Sequence, residues 1–309
     1  MASARPIAPA QGGSFNLEGY LTERRELVEV SLKEMLARQT IPVARLAEAI
    51  RYSLLAGGKR LRPILTLAAC DAVGGDREAV LPLACSVEMV HTYSMIHDDL
   101  PCMDDDDLRR GRPTNHKVFG EAIATLAGDA LLTDAFFVLA ESAAYKIPPE
   151  TVLATVADLA EAAGSGGMVG GQAMDILGEG QKAELVVLER LHRLKTGALF
   201  RLAVVGGARL GGASASQLAA FDEYARAFGL AFQIADDLLD VEGSSAEIGK
   251  RTGKDQSRGK ATYPRLLGVP RSRQTALALA RQARDALAAF DARAEPLRAL
   301  ATYAVERKR

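Results

Sequence analysis

Six aspartates lie within ten residues of the stretch 97-HDDLPCMDDDDLRRGRPTNHKVFGE-121, and three arginines follow them directly. The aspartates are Asp98, Asp99, Asp104, Asp105, Asp106 and Asp107, and the arginines are Arg109, Arg110 and Arg112. At ~5 Å, two carboxylates repel each other by roughly 3 kcal/mol at an effective dielectric constant near 20. A bound cation would offset this repulsion, so the crowded acids predict a site for a hard divalent metal ion.

A second acidic cluster ends the apolar segment 232-FQIADDLLD-240. Asp236 and Asp240 are four residues apart and therefore share one face of a helix, with Asp237 one step round. Mg²⁺ usually binds through one or two carboxylates together with substrate phosphates and water. Two facing clusters are therefore expected to hold several Mg²⁺ ions around one diphosphate, and the nearby arginines to bind its remaining oxygens. One acidic run is as easily a solvated surface, but two that each end an apolar helix favour the metal site.

The first cluster is spaced more widely than one helical turn. On an ideal helix, Asp98 and Asp104 would diverge by roughly 120°. Pro101 removes one backbone hydrogen bond, and its ring pushes against the carbonyl of His97. A local bulge at this proline is therefore expected to bring Asp104 back beside Asp98.

A basic motif, 57-GGKRLRP-63, precedes both acidic clusters. Its two glycines let the backbone approach an anion closely, and Lys59, Arg60 and Arg62 supply positive charge and forked donors. The motif holds no acidic group, so it suits a second phosphate group that the protein binds without metal. Taken alone, a helix-terminal loop with solvated cations explains it equally well.

The composition is typical of a soluble globular protein. The chain has 309 residues, of which 48% are hydrophobic and 25% charged, and its formal net charge is −1. Without an excess of basic residues to neutralise a phosphate backbone, nucleic acid is excluded as the main partner. Cys70, Cys85 and Cys102 form no CxxC pair, which predicts a reducing, cytoplasmic location without disulfides.

No uninterrupted apolar run approaches the ~18–20 residues that span a bilayer, so no integral membrane segment is expected. The best candidate, residues 126–140, is interrupted by Asp129 and Asp134. Residues 1–15 lack the apolar centre of a secretory signal, and their Pro, Ala and Gly content predicts a flexible tail.

The spacing of apolar residues predicts helices throughout residues 16–309. From residue 218 to residue 239 the apolar side chains recur at i, i+3 and i+4, and residues 82–99 are predicted to form a helix that starts with Pro82. Breaks are expected at the glycines and prolines of 56–58, 74–76, 147–150, 178–180, 206–207, 211–212 and 268–270. Without a repeat or an internal linker, the sequence predicts a single all-α domain of ten or more helices.

Seven motifs follow one another along the chain: GGKRLRP at 57–63, the acidic stretch at 97–121, GGQAMD at 170–175, LKTGALF at 194–200, FQIADDLLD at 232–240, GKRTGKD at 249–255 and KATYP at 260–264. In this order they resemble the trans-isoprenyl (polyprenyl) diphosphate synthase family, most closely its bacterial-type farnesyl diphosphate synthases. The resemblance implies an isoprenoid synthase-like helical bundle around a deep central cavity, usually as a homodimer. Geranylgeranyl diphosphate synthases carry many of the same motifs, so a C20 product stays an alternative.

The same resemblance assigns roles to individual residues. Two Mg²⁺ ions would be bound by Asp98 and Asp104, and a third by Asp236. The allylic diphosphate would be held by these ions with Arg109, Lys195, Thr196, Gln233 and Lys250. Isopentenyl diphosphate would bind to Lys59, Arg62, His91 and Arg110. The residues on which catalysis is expected to depend are Asp98, Asp99, Asp104, Arg109, Lys195, Asp236 and Lys250. No ligand role is implied for Asp105, Asp106 and Asp107.

The implied reaction joins isopentenyl diphosphate to an allylic diphosphate such as dimethylallyl or geranyl diphosphate. The allylic diphosphate leaves with its charge stabilised by metal and cationic side chains, and the alkene attacks the resulting carbocation. The released diphosphate is the expected acceptor of the final proton, so no side-chain nucleophile is needed. An apolar cavity would keep water from quenching the cation.

Product length would depend on side chains about one helical turn before Asp98, ~5–8 Å along the axis. Tyr93 and Ser94 occupy these positions, and periodicity alone does not decide which of them faces the cavity. In the family, an aromatic residue five positions before the first aspartate accompanies a C15 product. Farnesyl diphosphate is therefore the expected product.

Three other functions fit the residues less well. A metal phosphohydrolase would need more histidines than the four in the chain. A class I terpene cyclase binds one diphosphate, whereas the motif at 57–63 together with Arg110 predicts a second site. A noncatalytic subunit of a prenyl synthase is disfavoured because both aspartate motifs are intact.

Overall fold

The structure of the chain, a computed structural model, describes residues 15–181, 184–242 and 261–307. The tail expected at residues 1–15 therefore lies outside the described residues, apart from Phe15. The described helices, numbered in chain order, are α1 Leu17–Arg38, α2 Ala44–Leu54, α3 Leu61–Val73, α4 Arg77–Asp98, α5 Asn115–Phe119, α6 Glu121–Ala140, α7 Pro149–Ala163, α8 Met168–Leu177, α9 Leu185–His192, α10 Ala198–Arg201, α11 Gly207–Leu210, α12 Ala215–Glu242, α13 Tyr263–Leu267, α14 Val269–Ala286 and α15 Glu295–Glu306.

Little of the described chain is anything other than helix or loop. Wider, π-type turns occupy Arg193–Gly197 and Leu202–Gly206, and 3₁₀ turns occupy Glu141–Ala144 and Ala292–Ala294. A short antiparallel hairpin pairs β1 (Leu108–Arg109) with β2 (Arg112–Pro113). The predicted all-α class is confirmed.

Helix α12 carries the apolar stripe that the sequence predicts. Phe221, Ala225 and Phe228 are fully buried on one face. The ring of Phe200 in α10 meets those of Phe228 and Phe232 nearly edge-on, at centroid distances of 5.2 and 4.9 Å, an arrangement that aromatic pairs favour. These contacts fix the acidic end of α12 relative to the motif at 194–200.

Helix α4 begins before Pro82, so the predicted start at this proline is wrong. The side chain of Asp76 accepts a hydrogen bond from the amide of Glu78 at 3.0 Å and caps the helix five residues earlier. Pro82 therefore lies inside the helix, where it removes one backbone bond. The hydroxyl of Ser86 lies 2.8 Å from the carbonyl oxygens of both Pro82 and Ala135, the latter on α6. Thus α4 continues through the proline as a helix of 22 residues.

The glycines at 206 and 207 lie inside a continuous helical run, so the break predicted there is wrong. Residues 185–210 stay helical through α9, α10, α11 and the two wider turns. A Cβ atom on Gly207 would lie 2.3 Å from the carbonyl oxygen of Thr66, and one on Gly206 would lie 2.9 Å from the side chain of Leu83. The two glycines serve close packing against α3 and α4. The other predicted breaks lie between helices or at the start of one: those at 147–150 and 268–270 include the first residues of α7 and α14.

Within the described ranges, two helical segments are long and apolar enough to cross a membrane by length and composition, Arg77–Asp98 and Glu121–Ala144. The apolar window of the first is 78% buried inside the fold, as expected for a core helix, whereas that of the second is only 39% buried. The exposed positions of α6 recur every three or four residues and include Leu126, Asp129 and Phe137. One face of α6 therefore lies outside the core.

Gly207→Ala should destabilise the protein by about 1–3 kcal/mol, because the added methyl group would have to displace the backbone of α3. The measurement is the free energy of unfolding in urea. Gly166→Ala is a matched control, since the nearest atom to a Cβ there is 3.9 Å away, and it should change stability by less than about 0.5 kcal/mol. Equal stability of the two variants would contradict the close approach of α11 to α3.

Candidate active site

The first acidic cluster begins where α4 ends. Asp98 is the last residue of the helix, and the chain then turns back so that the amide of Asp104 donates to the carbonyl of Asp98 at 2.8 Å. Pro101 lies in this turn. Asp104 therefore returns to Asp98, but through a turn beyond the helix end instead of a bulge within a longer helix.

Asp98 sits where its negative charge is disfavoured. Burial, together with the charges of Asp104 and Asp99, raises the pKa of Asp98 to about 6, although Lys195 acts in the opposite direction. The carbonyl end of a helix is also its negative end. A divalent cation bound here would favour the charged carboxylate.

Asp99 is buried and forms a forked ion pair with Arg109 of the hairpin. The Nε of Arg109 lies 2.8 and 2.9 Å from the two carboxylate oxygens, and its Nη2 lies 2.6 Å from Oδ1. Two of the remaining acids also have cationic partners: Asp106 lies 4.0 Å from Arg109, and Asp107 pairs with Lys117 at 2.7 Å. The Asp99–Arg109 pair anchors the hairpin to the end of α4.

The second acidic cluster is already partly neutralised by a distant arginine. Arg307, which follows α15, places Nη2 2.5 Å from the Oδ1 of Asp236. Its guanidinium stacks over the ring of Phe232 at 4.0 Å, and its side chain is almost fully buried. A metal ion on Asp236 would therefore share the carboxylate with the guanidinium of Arg307.

Asp237 is buried and holds together groups from three helices. Its Oδ1 accepts a hydrogen bond from the Nε2 of Gln233 at 3.1 Å, and its Oδ2 accepts one from the amide of Tyr263 at 3.0 Å. The Nε2 of His192 lies 3.5 Å from the same Oδ2. Gln233 in turn accepts a hydrogen bond from the hydroxyl of Thr196 at 2.8 Å. Thus two of the predicted diphosphate contacts, Thr196 and Gln233, are oriented through Asp237.

Lys195 projects from the wider turn Arg193–Gly197, a kind of helix distortion that is frequent at functional sites. Its Nζ donates to the Oδ2 of Asp175 at 2.6 Å. Gly171 allows α8 to come this close, since a Cβ there would lie 2.2 Å from the amide nitrogen of Lys195. Asp175 therefore holds the lysine near Asp98, whose pKa responds to it.

The basic motif and the hairpin meet around His91 of α4. Burial lowers the pKa of His91 well below its usual value, and the charges of Arg62 and Arg110 lower it further. Arg62 stacks over the ring of Phe200 at 4.4 Å, and Arg110 donates to the carbonyl of Gly57. Lys59 of the same motif is exposed. The structure thus gathers Arg62, His91 and Arg110 into one strongly positive pocket.

Among the described residues, no three His, Cys, Asp or Glu side chains converge as a ready-made metal cage. Asp98 with Asp104, and separately Asp236, instead offer one or two carboxylates each. This arrangement fits Mg²⁺, whose coordination shell is completed by substrate phosphates and water. Lys250, expected beside them, lies outside the described residues.

A profile of the family described as polyprenyl synthetase matches residues 43–292. The chain belongs to this family. It is 53% identical over 255 residues to the farnesyl diphosphate synthase of Geobacillus stearothermophilus, covering 82% of this chain and 86% of the relative. It is 48% identical over 307 residues to the heterodimeric geranylgeranyl pyrophosphate synthase large subunit 1 of Arabidopsis thaliana, covering 98% of this chain and 82% of the relative. A solved FPP/GFPP synthase from Zymomonas mobilis superimposes with a TM-score of 0.84 at 42% identity, covering 94% of this chain and 99% of that one.

The synthetase is therefore a prenyltransferase of isoprenoid biosynthesis. Relatives named for C15 and for C20 products match it at similar identity. Sequence similarity consequently leaves the product length open.

The two chain-length candidates of the synthetase lie on adjacent faces of α4. Ser94 is partly exposed, like His91 and Asp98 three and four residues away, and its hydroxyl donates to the carbonyl of His91 at 2.9 Å. Tyr93 is buried and packs edge-on against His97. Burial, and then the charge of Asp98, raises the pKa of Tyr93 to about 12. Ser94 thus shares the accessible face, and Tyr93 forms the wall beside it.

Two residues that shape the site are absent from the predicted set. Asp175 is the last residue of the GGQAMD motif, so it could have been considered as an acidic partner for the predicted Lys195. Arg307 is 71 residues from Asp236 and lies in no motif, so no sequence signal indicated its contact.

Asp98→Asn should stabilise the metal-free synthetase at pH 8 by about 1–2 kcal/mol. Because its pKa is raised in the folded protein, Asp98 keeps its proton up to about pH 6, whereas the unfolded chain releases it near pH 4. The wild type therefore loses stability as the pH rises through this window, and the asparagine variant does not.

Urea unfolding in the presence of a chelator, at pH 4 and at pH 8, measures this difference. The two proteins should agree at the lower pH. Asp107→Asn, at a mostly exposed site, is the control and should change stability by less than about 0.5 kcal/mol at both values. If Asp98→Asn were less stable than the wild type at pH 8, the charged carboxylate would not destabilise the folded protein.

Proposed function

We propose that this synthetase condenses isopentenyl diphosphate with dimethylallyl and geranyl diphosphate, and that farnesyl diphosphate is its main product. The observation that supports the proposal is that α4 carries a histidine beside two arginines and, at its end, an aspartate beside a second one. His91, among the arginines, and Asp98, in the acidic pair, are seven residues apart on this helix, about 10 Å along its axis. One diphosphate at each site would bring two substrates side by side.

The acidic site would take the allylic diphosphate. Asp98, Asp104 and Asp236 would hold Mg²⁺, three ions per site, and these ions would neutralise charge on the departing group. The protein groups proposed around that diphosphate are Arg109, Lys195, Thr196, Gln233 and Lys250. The pairs Asp99–Arg109 and Asp175–Lys195 hold two of these cations in place before substrate arrives, which reduces the reorganisation that binding requires.

The basic pocket would take isopentenyl diphosphate through Lys59, Arg62, His91 and Arg110. The lowered pKa of His91 keeps its imidazole neutral, so this side chain would donate a hydrogen bond without adding to the charge of the pocket. Arg62 rests on Phe200, at the edge of the aromatic core. The alkene would therefore lie between the diphosphate and an apolar wall that excludes water.

The reaction then requires no nucleophilic side chain. The allylic diphosphate would leave first, and the alkene of isopentenyl diphosphate would then attack the carbocation to form the new carbon–carbon bond. The proton lost from the condensed product would go to the released diphosphate. The protein's part is to fix both substrates, to stabilise the leaving charge with cations and to keep the cavity dry.

Incubation of the purified protein with Mg²⁺, labelled isopentenyl diphosphate and C5, C10 or C15 allylic starters tests the proposal. Chromatography should show C15 as the main product from the two shorter starters and little turnover of the C15 starter. A main product of C20 would instead favour a geranylgeranyl diphosphate synthase. Absence of turnover by the protein alone would favour a noncatalytic subunit, and would contradict the proposal.

We further propose that residues 16–309 form one domain, located in the cytoplasm, and that two copies form a dimer through the exposed face of α6. Leu126 and Phe137 on this face are 51% and 64% exposed, more than large apolar side chains usually are in an interior-facing helix. Cys70 and Cys85 are buried as free thiols, which fits a reducing compartment.

Tyr93→Ala should shift the main product from C15 to C20, because removal of the ring deepens the cavity below Asp98. Product chromatography measures the ratio of the two lengths. Ser94→Ala, which removes only a hydroxyl bonded to the helix backbone, is the control and should leave the ratio unchanged. An unaltered ratio in Tyr93→Ala would remove this residue from the control of length.

Phe137→Glu should convert the dimer to a monomer, because two buried carboxylates would face each other across a two-fold interface. Sedimentation or light scattering measures the mass in solution. Val30→Glu, at an apolar side chain of α1 that is 51% exposed, is the control and should leave the mass unchanged. A wild-type protein that is monomeric at micromolar concentration would overturn the proposed interface.

A further inference from the structure

Arg60 lies between two residues of the basic pocket, yet its own side chain turns into the protein. It is 3% exposed. Its Nε donates to Glu29 at 2.7 Å, its Nη1 to Glu88 at 2.6 Å and its Nη2 to the carbonyl of Leu54 at 2.7 Å. Each nitrogen of the guanidinium is therefore bonded to the protein, and the group is too deeply buried to meet a substrate.

The backbone at Arg60 is held in a conformation that side chains disfavour. Its φ angle is +50°, in the left-handed region that non-glycine residues rarely adopt. It follows two glycines that also have positive φ and directly precedes the first residue of α3. Such a conformation persists only where surrounding contacts impose it, and the buried guanidinium supplies those contacts.

Glu88 connects this buried clamp to the pocket. It lies on α4 one turn before His91 and is itself buried. Burial lowers the pKa of Arg62 to about 10, and Glu88 opposes that change. Burial also lowers the pKa of Arg110, and Glu88 opposes that change too. The Glu88 carboxylate that bonds Arg60 thus also offsets part of the positive charge of Arg62 and Arg110, which face the proposed substrate.

We propose that Arg60, clamped by Glu88 and Glu29, is a positioning residue that orients Lys59 and Arg62 for isopentenyl diphosphate without touching it. The inference rests on the proposed function, in which the basic pocket takes that substrate. The clamp fixes the turn from Gly57 to Arg60 against α4, so the side chains on either side of Arg60 project into the pocket. Loss of the clamp frees the turn and moves them apart.

Arg60→Lys tests this role because it keeps the charge but cannot reach all three acceptors at once. The KM for isopentenyl diphosphate should rise about tenfold, while kcat and the KM for geranyl diphosphate stay within about threefold. Glu88→Gln should raise the same KM, because the clamp loses its charged acceptor. If Glu88 acted only through its negative charge, its removal would instead tighten binding of the anion.

Arg24→Lys is the matched control. Arg24 is also a buried arginine, bonded to Glu23 and to Asp71 at the far end of α3. This variant should lower thermal stability to a similar extent and leave both KM values unchanged. A KM for isopentenyl diphosphate that is unchanged in Arg60→Lys, or that falls in Glu88→Gln, would overturn the proposal.

Calorimetric titration of the metal-free protein with isopentenyl diphosphate separates this inference from the proposed function. The dissociation constant should rise about tenfold in Arg60→Lys relative to the wild type, whether or not the enzyme turns over. If the wild type binds the ligand but does not condense it, the proposed function fails and the clamp stands. If the wild type binds no isopentenyl diphosphate, the clamp proposal fails with the site on which it rests.

Discussion

The structure depends on the placement of carboxylates at the negative end of a buried helix. Asp98 closes α4, Asp104 folds back onto it, and Asp99 lies between them in sequence. The helix dipole, the burial and the neighbouring acids all oppose ionisation there, as the raised pKa of Asp98 shows. A carboxylate in such a place either keeps its proton or is stabilised by a nearby cation.

An excess of positive charge lies on the same helix, about two turns before Asp98. Around His91 the arginines of the basic motif and of the hairpin come together, and their mutual repulsion is relieved in part by one buried carboxylate, Glu88. In the proposed function, metal-bound diphosphate would bring cations to the first site, and diphosphate without metal would neutralise the positive charge of the second. One helix would then carry two anion sites of different character, about 10 Å apart along its axis.

Ion pairs within the protein prepare both sites. Arg109 is held by Asp99, Lys195 by Asp175 and Arg60 by Glu88, so the cations stand in place before the substrates bind. Arg307 acts differently, since it is bonded to one of the predicted metal ligands, Asp236. The aromatic contacts of Phe200 with Phe228 and Phe232 fix the acidic end of α12 relative to the motif at 194–200.

Local signals in the sequence determined the helical class, the two acidic clusters, the basic motif and the family, because residue type and short spacing are written along the chain. Even so, a glycine pair predicted a break at 206–207 that packing against Thr66 made into a close helical contact. Likewise, Pro82 predicted a helix start that the cap at Asp76 moved upstream.

Only the tertiary structure decided which charges neutralise one another. Asp236 is 71 residues from Arg307, Glu88 is 28 from Arg60, and Asp175 is 20 from Lys195. Pairing over such separations is set by how helices pack and not by the spacing of residues along one of them. The sequence could therefore name candidate groups for binding diphosphate, while the fold alone decided which partners hold those groups in place.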